Sequence, residues 1–273
     1  MSGIRQGVPV CAENGPTPTI VAVSPSHAAI IFAAGVAAGA INTIVGSGTL
    51  VTFPTLLALG YAPVIANVSN TVGLVAGSVS GAVGYRRELK GQLRRILALT
   101  PAVVLGTVVG AILLLALPSS AFRRVVPVLI LLAVVLVLVQ PRVARRRADR
   151  GLRAEHPGPL LHTGTFFTSI YGGYFGAAQG VILLALLGIT VDDDMQRLNA
   201  AKNVIAATIN AVAAVFFIAS TTIAWSVSGL LLLGSTIGGQ LGAVVGRRLP
   251  PNVLRLVIAV VGTAVAITLF ATG

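Results

Sequence analysis

Long apolar segments without charge dominate the sequence. No Asp, Glu, Lys or Arg occurs in four stretches, which are 14–85, 96–122, 156–191 and 203–246. A helix that crosses a bilayer needs about 20 mostly apolar residues, so these stretches predict several spans. The ten-residue alternation of polar and apolar positions that is typical of membrane β-barrels is absent. The pattern therefore predicts an all-α integral membrane protein, a polytopic helical bundle with about 8–10 membrane segments.

The first half of the chain predicts a tail and then a broken helix. Residues 1–26 are rich in Pro, Gly and Ser and are expected to form a flexible N-terminal tail. An apolar segment over 28–45 stops at Gly46-Ser47-Gly48, and a short apolar arm follows over 49–59. A helix of that length rises about 16 Å, roughly half of the hydrocarbon thickness, so the arm either crosses fully or re-enters. Full spans are expected at about 63–85, 96–117 and 122–140.

The second half repeats this order. An apolar segment from about residue 160 is interrupted over 172–180, and a short arm over 181–187 ends at Gly188. Short motifs recur in the second half as well. LLALG at 56–60 aligns with ALLG at 185–188, and LPSSAFRRV at 117–125 aligns with LPPNVLRLV at 249–257. An internal duplication is therefore expected. It divides the chain into a first transmembrane repeat over 27–141, a basic cytoplasmic linker over 142–158 and a second transmembrane repeat over 159–273, with spans at about 196–219, 226–246 and 252–271.

The positions of the basic residues predict how the repeats are oriented. Basic residues are concentrated in 86–95 and 142–153, which should both be cytoplasmic by the positive-inside rule. The counterpart of the first loop, 219–226, carries no charge, and Arg247 and Arg248 lie at the opposite end of the next span. The positive side therefore alternates, which favours inverted repeats over a parallel duplication. Inverted repeats are common in secondary transporters.

Composition excludes several function classes. Only 10% of the residues are charged, against about 25% in soluble domains, which excludes an ordinary soluble enzyme. The net charge of +12 is explained by cytoplasmic anchoring, so no nucleic-acid partner is expected. Cys11 is the single cysteine, which leaves no disulfide framework. No nucleotide-binding, metal-ligand or catalytic spacing occurs, so no cofactor, no metal and no enzymatic activity are expected.

The two glycine-rich interruptions are the first candidate for a binding site. Corresponding broken segments in two repeats are typical of transporter binding sites. Each break precedes a short helix whose N-terminal amides and positive dipole end would lie near the bilayer midplane, where they attract anions. The alternative is that these glycines only allow helices to pack closely.

Polar residues in the helix after each arm are the second candidate. Asn67 and Asn70 share one helix face, and so do Asn199 and Asn203. Lys202 is the only cation expected inside a span; it either faces inward towards an anionic substrate or snorkels to the cytoplasmic surface. No carboxylate lies within a predicted span, which argues against a cation pump.

These segments resemble the sulfite exporter TauE/SafE family of membrane transporters. The resemblance rests on GAINTIVGSGTLVTFPTLLALGYAP with ANVSNTVG, and on GGYFGAAQGVILLALLGI with LNAAKN. It implies a multi-pass protein of the prokaryotic plasma (inner) membrane that moves small sulfur-containing or organic anions, often outward. It also places the family's glycine-rich breaks at Gly46, Gly48, Gly176 and Gly180, and its polar helix positions at Asn70 and Asn203.

The combined hypothesis is a secondary transporter that exports a small anion, such as sulfite, an organosulfonate or a related organic anion, by alternating access between the two repeats. The expected partners are the anion, the lipid bilayer and a coupling ion, either a proton or sodium; the oligomeric state is left open. The alternatives are a membrane-embedded enzyme and a structural membrane protein without transport activity. The candidate substrate-binding residues are Gly46, Ser47, Gly48, Thr49, Asn67, Asn70, Gln179, Gly180, Val181, Asn199, Lys202 and Asn203.

Overall fold

The computed structural model describes residues 23–118 and 158–246, together with Phe122, Val125, Val128, Leu131 and Val135. Several sequence predictions fall wholly or mostly outside the described residues. These are the N-terminal tail, the spans at 122–140 and 252–271, and the basic linker over 142–158.

The described residues form eight helices and no strand. The first half holds α1 (Pro25–Ile44), α2 (Thr49–Ala58), α3 (Pro63–Gly84) and α4 (Leu93–Ala116). The second half holds α5 (Pro159–Tyr174), α6 (Gln179–Thr190), α7 (Met195–Ser220) and α8 (Trp225–Val245). Five of them, α1, α3, α4, α7 and α8, are long and apolar enough to cross a membrane. The predicted helical membrane fold is confirmed.

Local sequence explains where the helices begin. Prolines stand at the first positions of α1, α3 and α5, where their fixed φ suits a helix and their missing N–H costs no intrahelical bond. Ser24 caps α1 by accepting a hydrogen bond from the His27 amide. Asp194 caps α7 in the same way, accepting from the Gln196 amide.

The second short arm is longer than the sequence predicts. The prediction that it runs over 181–187 and ends at Gly188 is wrong, because α6 begins at Gln179 and continues to Thr190. Ala178 has left-handed backbone (φ 57°), which ends the irregular segment and starts the new helix there. A single glycine weakens a helix without ending it, so α6 passes through Gly188 and stops only at the extended backbone of Val191.

The two halves pack mainly against each other. Helix α1 lies along α8, and its counterpart α5 lies along α4. Helix α3 packs on both α7 and α8, and its counterpart α7 packs on both α3 and α4. Each of these contacts between the halves therefore has an equivalent contact in which the two halves exchange roles.

Contacts along these pairs give the helix directions. Ser228 Oγ and Ser235 Oγ of α8 donate to the carbonyls of Ser69 and Gly73 on α3, so α3 and α8 run parallel. A Cβ on Gly35 or Gly39 would meet Leu231 or Ser235, respectively, so α1 is parallel to α8 as well. In the same way, Gly106 lies against Phe166 and Gly110 against Ile170, so α4 and α5 run parallel.

Helices α3 and α7 run in opposite directions. The segment just after α3 meets the start of α7, where Gln92 Nε2 donates to Arg197 O at 2.8 Å. Further into both helices, Asn210 Nδ2 donates to Ser78 Oγ at 2.9 Å. Helix α4 starts beside the start of α7, and Leu99 and Val103 pack in one cluster with Leu198, so these two helices run parallel. Within the described residues, α1, α3 and α8 thus point one way and α4, α5 and α7 the other.

An ion-pair cluster joins the two halves at one end of the bundle. The Asp193 carboxylate accepts from Arg95 at 3.2 Å and from Arg197 at 2.6 Å. Partial burial alone would raise the pKa of Asp193, but hydrogen bonds from Arg197 and Arg95 outweigh it and hold the pKa below the usual range. The cluster ties the start of α4 to the loop before α7.

Replacing Gly238 with Ala should destabilise the α1–α8 contact. The new Cβ would lie 2.0 Å from the Val36 carbonyl oxygen, and overpacking of this kind costs about 1–3 kcal/mol. Gly229→Ala on the same helix is the control, because no described atom outside the backbone of its own helix lies within 4 Å of its Cβ position. Thermal unfolding in detergent should show a lower Tm for the first variant alone; equal Tm values would contradict this packing.

Replacing Asp193 with Asn should lower stability in a pH-dependent way. The folded-state pKa of Asp193 is lowered, so its contribution is full above the ordinary aspartate pKa of about 4 and is lost as the pH falls through the folded-state value. The difference in Tm between wild type and variant should therefore be largest near neutral pH and shrink on acidification. A difference that stays constant with pH would rule out the ion pairs as its cause.

Candidate functional site

The two broken segments meet in the middle of the bundle. The Gly180 amide donates to the Gly46 carbonyl oxygen at 3.0 Å. A Cβ on Gly180 would lie 2.5 Å from Gly46 Cα, and a Cβ on Gly46 would lie 2.4 Å from Gly180 Cα. Gly46 also has φ +88°, a left-handed conformation that favours glycine. The two interruptions that the sequence shows separately therefore form one backbone crossing.

The two arms differ in how their first amides are used. The amides of Gln179, Gly180 and Val181 donate to the carbonyls of Gly176, Gly46 and Ala178. The expectation of a helix N-terminus with free amides at Val181 is therefore wrong, because the crossing and the turn before α6 occupy them.

The start of α2 keeps its amides available. The carbonyls of Ser47 and Gly48 accept from Leu50 and Val51. The amides of Ser47, Gly48 and Thr49 have no acceptor among the described residues. The first arm thus retains the donors that an anion site at a helix N-terminus requires.

Polar side chains of α7 cap the broken end of α1. Lys202 Nζ donates to the carbonyls of Asn42 at 3.0 Å and Thr43 at 3.2 Å. Asn199 Nδ2 and Asn203 Nδ2 also donate to Thr43 O, at 3.2 and 3.3 Å. The last carbonyls of a helix have no intrahelical partner, and a cation there is favoured by the dipole. Lys202 has no exposed surface, so it faces inward and the snorkelling alternative is wrong.

The same arrangement occurs at the broken end of α5. Asn67 Nδ2, on α3, donates to the Tyr174 carbonyl at 3.0 Å. Asn67 and Asn199 occupy equivalent places in the element order, and each caps the broken helix of the other half. We call these contacts the cross-caps: Asn67 on Tyr174 O, and Asn199, Lys202 and Asn203 on the end of α1.

Asn70 has a different role from Asn203, although the two align in sequence. Asn70 Nδ2 donates to Thr49 Oγ1 at 3.3 Å, and its Oδ1 accepts from Thr52 Oγ1. Both threonines belong to α2, so Asn70 fixes the first turn of the arm in its own half.

A buried polar network next to the crossing was not predicted from the sequence. Gln179 Nε2 donates to Asn210 Oδ1 at 3.1 Å. Asn210 Nδ2 and Asn42 Nδ2 both donate to Ser78 Oγ, at 2.9 and 3.1 Å. The available signal was the presence of Asn42 and Asn210 inside apolar helices, where polar side chains commonly bond to neighbouring helices.

Several buried polar atoms around the breaks have no hydrogen-bond partner in the described part of the chain. They include the Ser47 hydroxyl and the amide oxygens of Asn67, Gln179 and Asn199. An unsatisfied buried polar group costs about 1–3 kcal/mol, so such a cluster is typical of a site that a ligand or water completes.

The charge of Lys202 has no anionic partner in the described helices. The described carboxylates, Glu88 and Asp192 to Asp194, all lie in the loops after α3 and before α7. An ammonium has three N–H donors, and Lys202 uses two of them on carbonyls. When Lys202 is protonated, one N–H donor and its positive charge therefore remain for a ligand. Among the described residues, no group of His, Cys, Asp and Glu could hold a metal ion.

Replacing Gly180 with Ala should disrupt the crossing. Its Cβ would overlap the Gly46 backbone, which cannot move aside as a flexible side chain would. Gly188→Ala is the control on the same helix, since Leu198 Cδ1, at 4.0 Å, is the nearest described atom to its Cβ position outside the backbone of its own helix. We expect a lower Tm and lower yield of folded protein for Gly180→Ala only; similar stability of both variants would contradict the close approach.

Comparison with known proteins agrees with this architecture. The family model for the sulfite exporter TauE/SafE matches residues 31–269. The chain is 28% identical over 215 residues to a probable membrane transporter protein of Haemophilus influenzae, covering 79% of this chain and 83% of that one. It is 25% identical over 222 residues to the probable membrane transporter protein YfcA of Escherichia coli K12, covering 81% of each.

A third relative is the probable membrane transporter protein ORF9 of Sinorhizobium sp., which is 26% identical over 252 residues, 89% of this chain and 92% of that one. No solved structure matches the chain significantly. The family model covers most of the sequence, including both breaks and all of the cross-caps. The resemblance is thus confirmed: the chain belongs to the sulfite exporter TauE/SafE family and is a multi-pass membrane transporter of a small-molecule substrate.

Proposed function

We propose that this protein is a secondary transporter that exports a small anion, such as sulfite or an organosulfonate, across the plasma membrane of a prokaryote. The observation that carries the proposal is Lys202, a fully buried cation whose hydrogen-bond partners are two neutral carbonyls. A buried charge is costly unless it is paired. An anionic substrate would supply the missing partner.

The substrate site lies at the crossing of the two breaks. Lys202 would offer its third N–H, and the start of α2 would offer the free amides of Ser47, Gly48 and Thr49. The unpartnered Ser47 hydroxyl would add a further donor. Asn70 holds the first turn of α2 in place through Thr49 and Thr52. The glycines at the crossing would let the backbone approach the substrate closely.

Alternating access between two inverted repeats is the mechanism that fits this arrangement. The helix directions support inversion. In the first half α1 and α3 run one way and α4 runs the other way. In the second half α5 and α7 run in the direction of α4, and α8 runs in the direction of α1. Because each half caps the broken helix of the other, a movement of one half against the other would change the site directly. The described helices contain no carboxylate that could bind a proton or sodium. Flux measured with a proton gradient or with a sodium gradient identifies the coupling ion.

Replacing Lys202 with Gln should strongly reduce transport while preserving the fold. The Gln amide can still donate to the carbonyls of Asn42 and Thr43, but it carries no charge. Flux of sulfite or an organosulfonate in proteoliposomes should fall by about tenfold or more, the loss expected for one hydrogen bond to a charged group. Asn70→Ala should also lower flux, because it releases the first turn of α2.

Lys90→Gln is the matched control, since Lys90 lies in the loop between α3 and α4. Its flux should equal that of wild type, and thermal unfolding should show that all three variants are folded. Unchanged flux in both Lys202→Gln and Asn70→Ala would refute the site. Absence of flux for every small anion tested on wild type would refute the proposed substrate class.

A further inference from the structure

We infer that the transported substrate is a singly charged anion that also carries a hydrogen-bond donor, an O–H or N–H group, and that Asn199 selects for this donor. The inference rests on the proposed function and concerns the substrate class of the same site. Hydrogensulfite and hydroxy-substituted sulfonates belong to this class. Sulfate and unsubstituted alkanesulfonates do not.

The charge balance of the site favours a single negative charge. At each break one helix ends and the next begins within four or five residues, after Ile44 and after Tyr174. The negative end of one dipole therefore lies beside the positive end of the next, and their fields largely offset each other. Lys202 is the one full charge buried in the described helices. A dianion would leave its second charge unpaired in a site of low dielectric.

The orientation of the Asn199 amide is fixed by its partner. Asn199 Nδ2 donates to the Thr43 carbonyl at 3.2 Å, and a carbonyl only accepts. A flipped amide would place two oxygens against each other, so Oδ1 is the atom that remains. This oxygen is buried and has no partner among the described residues. An amide oxygen accepts hydrogen bonds and repels the oxygens of an anion.

The Asn199 amide and the Lys202 ammonium share one acceptor. Asn199 Nδ2 and Lys202 Nζ both lie 3.2 Å from Thr43 O, and the two residues are one helical turn apart on α7. We place the substrate held by Lys202 beside Asn199 Oδ1, an acceptor that a substrate without an O–H or N–H group cannot satisfy. Asn67 repeats the feature at the other cross-cap: its Nδ2 donates to Tyr174 O, and its buried Oδ1 has no partner.

The test compares two sulfonates of the same shape in proteoliposomes. In 2-hydroxyethanesulfonate a hydroxyl stands where 1-propanesulfonate has a methyl group. We expect kcat/KM for the hydroxylated compound to be about fivefold or more higher, the factor for satisfying one buried acceptor. Simple apolar burial would favour the propyl compound. Sulfate should be transported poorly by comparison with both. Equal rates for the pair, or sulfate as the best of the three, would overturn the inference and leave the proposed function standing.

Two variants test the assignment to Asn199. Asn199→Leu removes the acceptor and should bring the ratio of the two sulfonate rates close to one. Asn203→Leu removes an equivalent hydrogen bond to Thr43 O and should keep the ratio, even if both rates fall. An unchanged ratio in Asn199→Leu would overturn the assignment; if that variant does not fold, Asn199→Met serves in its place.

Two further outcomes distinguish a failure of this inference from a failure of the proposed transport function. Sodium-dependent transport without any preference for the hydroxylated compound would assign the amide oxygens to a cation and overturn the inference. Failure of wild type to transport any of the three anions, or sulfite, would instead count against the proposed function on which it rests.

Discussion

The constraint on which this structure depends is that a helix interrupted inside a membrane exposes carbonyl groups that lipid cannot satisfy. Unbroken helices satisfy their own backbone, but α1 and α5 both end at glycine-rich segments in the interior. The protein meets this requirement with side chains from the opposite half. Asn67 reaches the end of α5, and Asn199, Lys202 and Asn203 reach the end of α1. Each half thus receives these caps from the other half, so capping of the broken helices requires that the two halves pack together.

The cross-caps also create the chemistry of the site. Capping α1 with a lysine brings a full positive charge into the centre of the bundle, where the described helices provide no carboxylate to neutralise it. Capping with asparagine amides fixes which atom of each amide faces away from the backbone. The close approach of Gly46 and Gly180 then gathers both breaks into one place. A structural requirement of the fold therefore leaves several unpartnered polar atoms and a buried lysine without a carboxylate among the described residues.

The two halves are similar in architecture but not in chemistry. Lys202 has no basic counterpart on α3, and α6 uses its first amides on the crossing and its own turn, whereas α2 does not. The buried network of Gln179, Asn210, Ser78 and Asn42 joins α6, α7, α3 and α1 beside the crossing. The buried lysine and the free amides thus come from different halves, Lys202 from the second and the start of α2 from the first.

Hydrophobic patterning alone located the described helices, mostly to within about three residues, because lipid requires continuous apolar segments and helical backbone. The glycine breaks were visible for the same reason, because they interrupt these apolar segments. The bounds of α6 differ from the predicted ones because the helix starts directly after the left-handed backbone of Ala178 and continues through Gly188 to Thr190. Whether Lys202 faced inward was undecided in the sequence, because a lysine near a helix end can reach the surface as easily as a neighbouring helix.

The sequence by itself therefore determined the class of fold, the order of its elements and the residue types available for a site. Only the tertiary structure decided which carbonyls those residues cap, which amides stay free and which oxygens stay unpartnered. These depend on contacts between residues more than 100 positions apart, such as Lys202 with Asn42 and Asn67 with Tyr174. Such contacts follow from how the two halves pack, and periodicity along the chain carries no information about them.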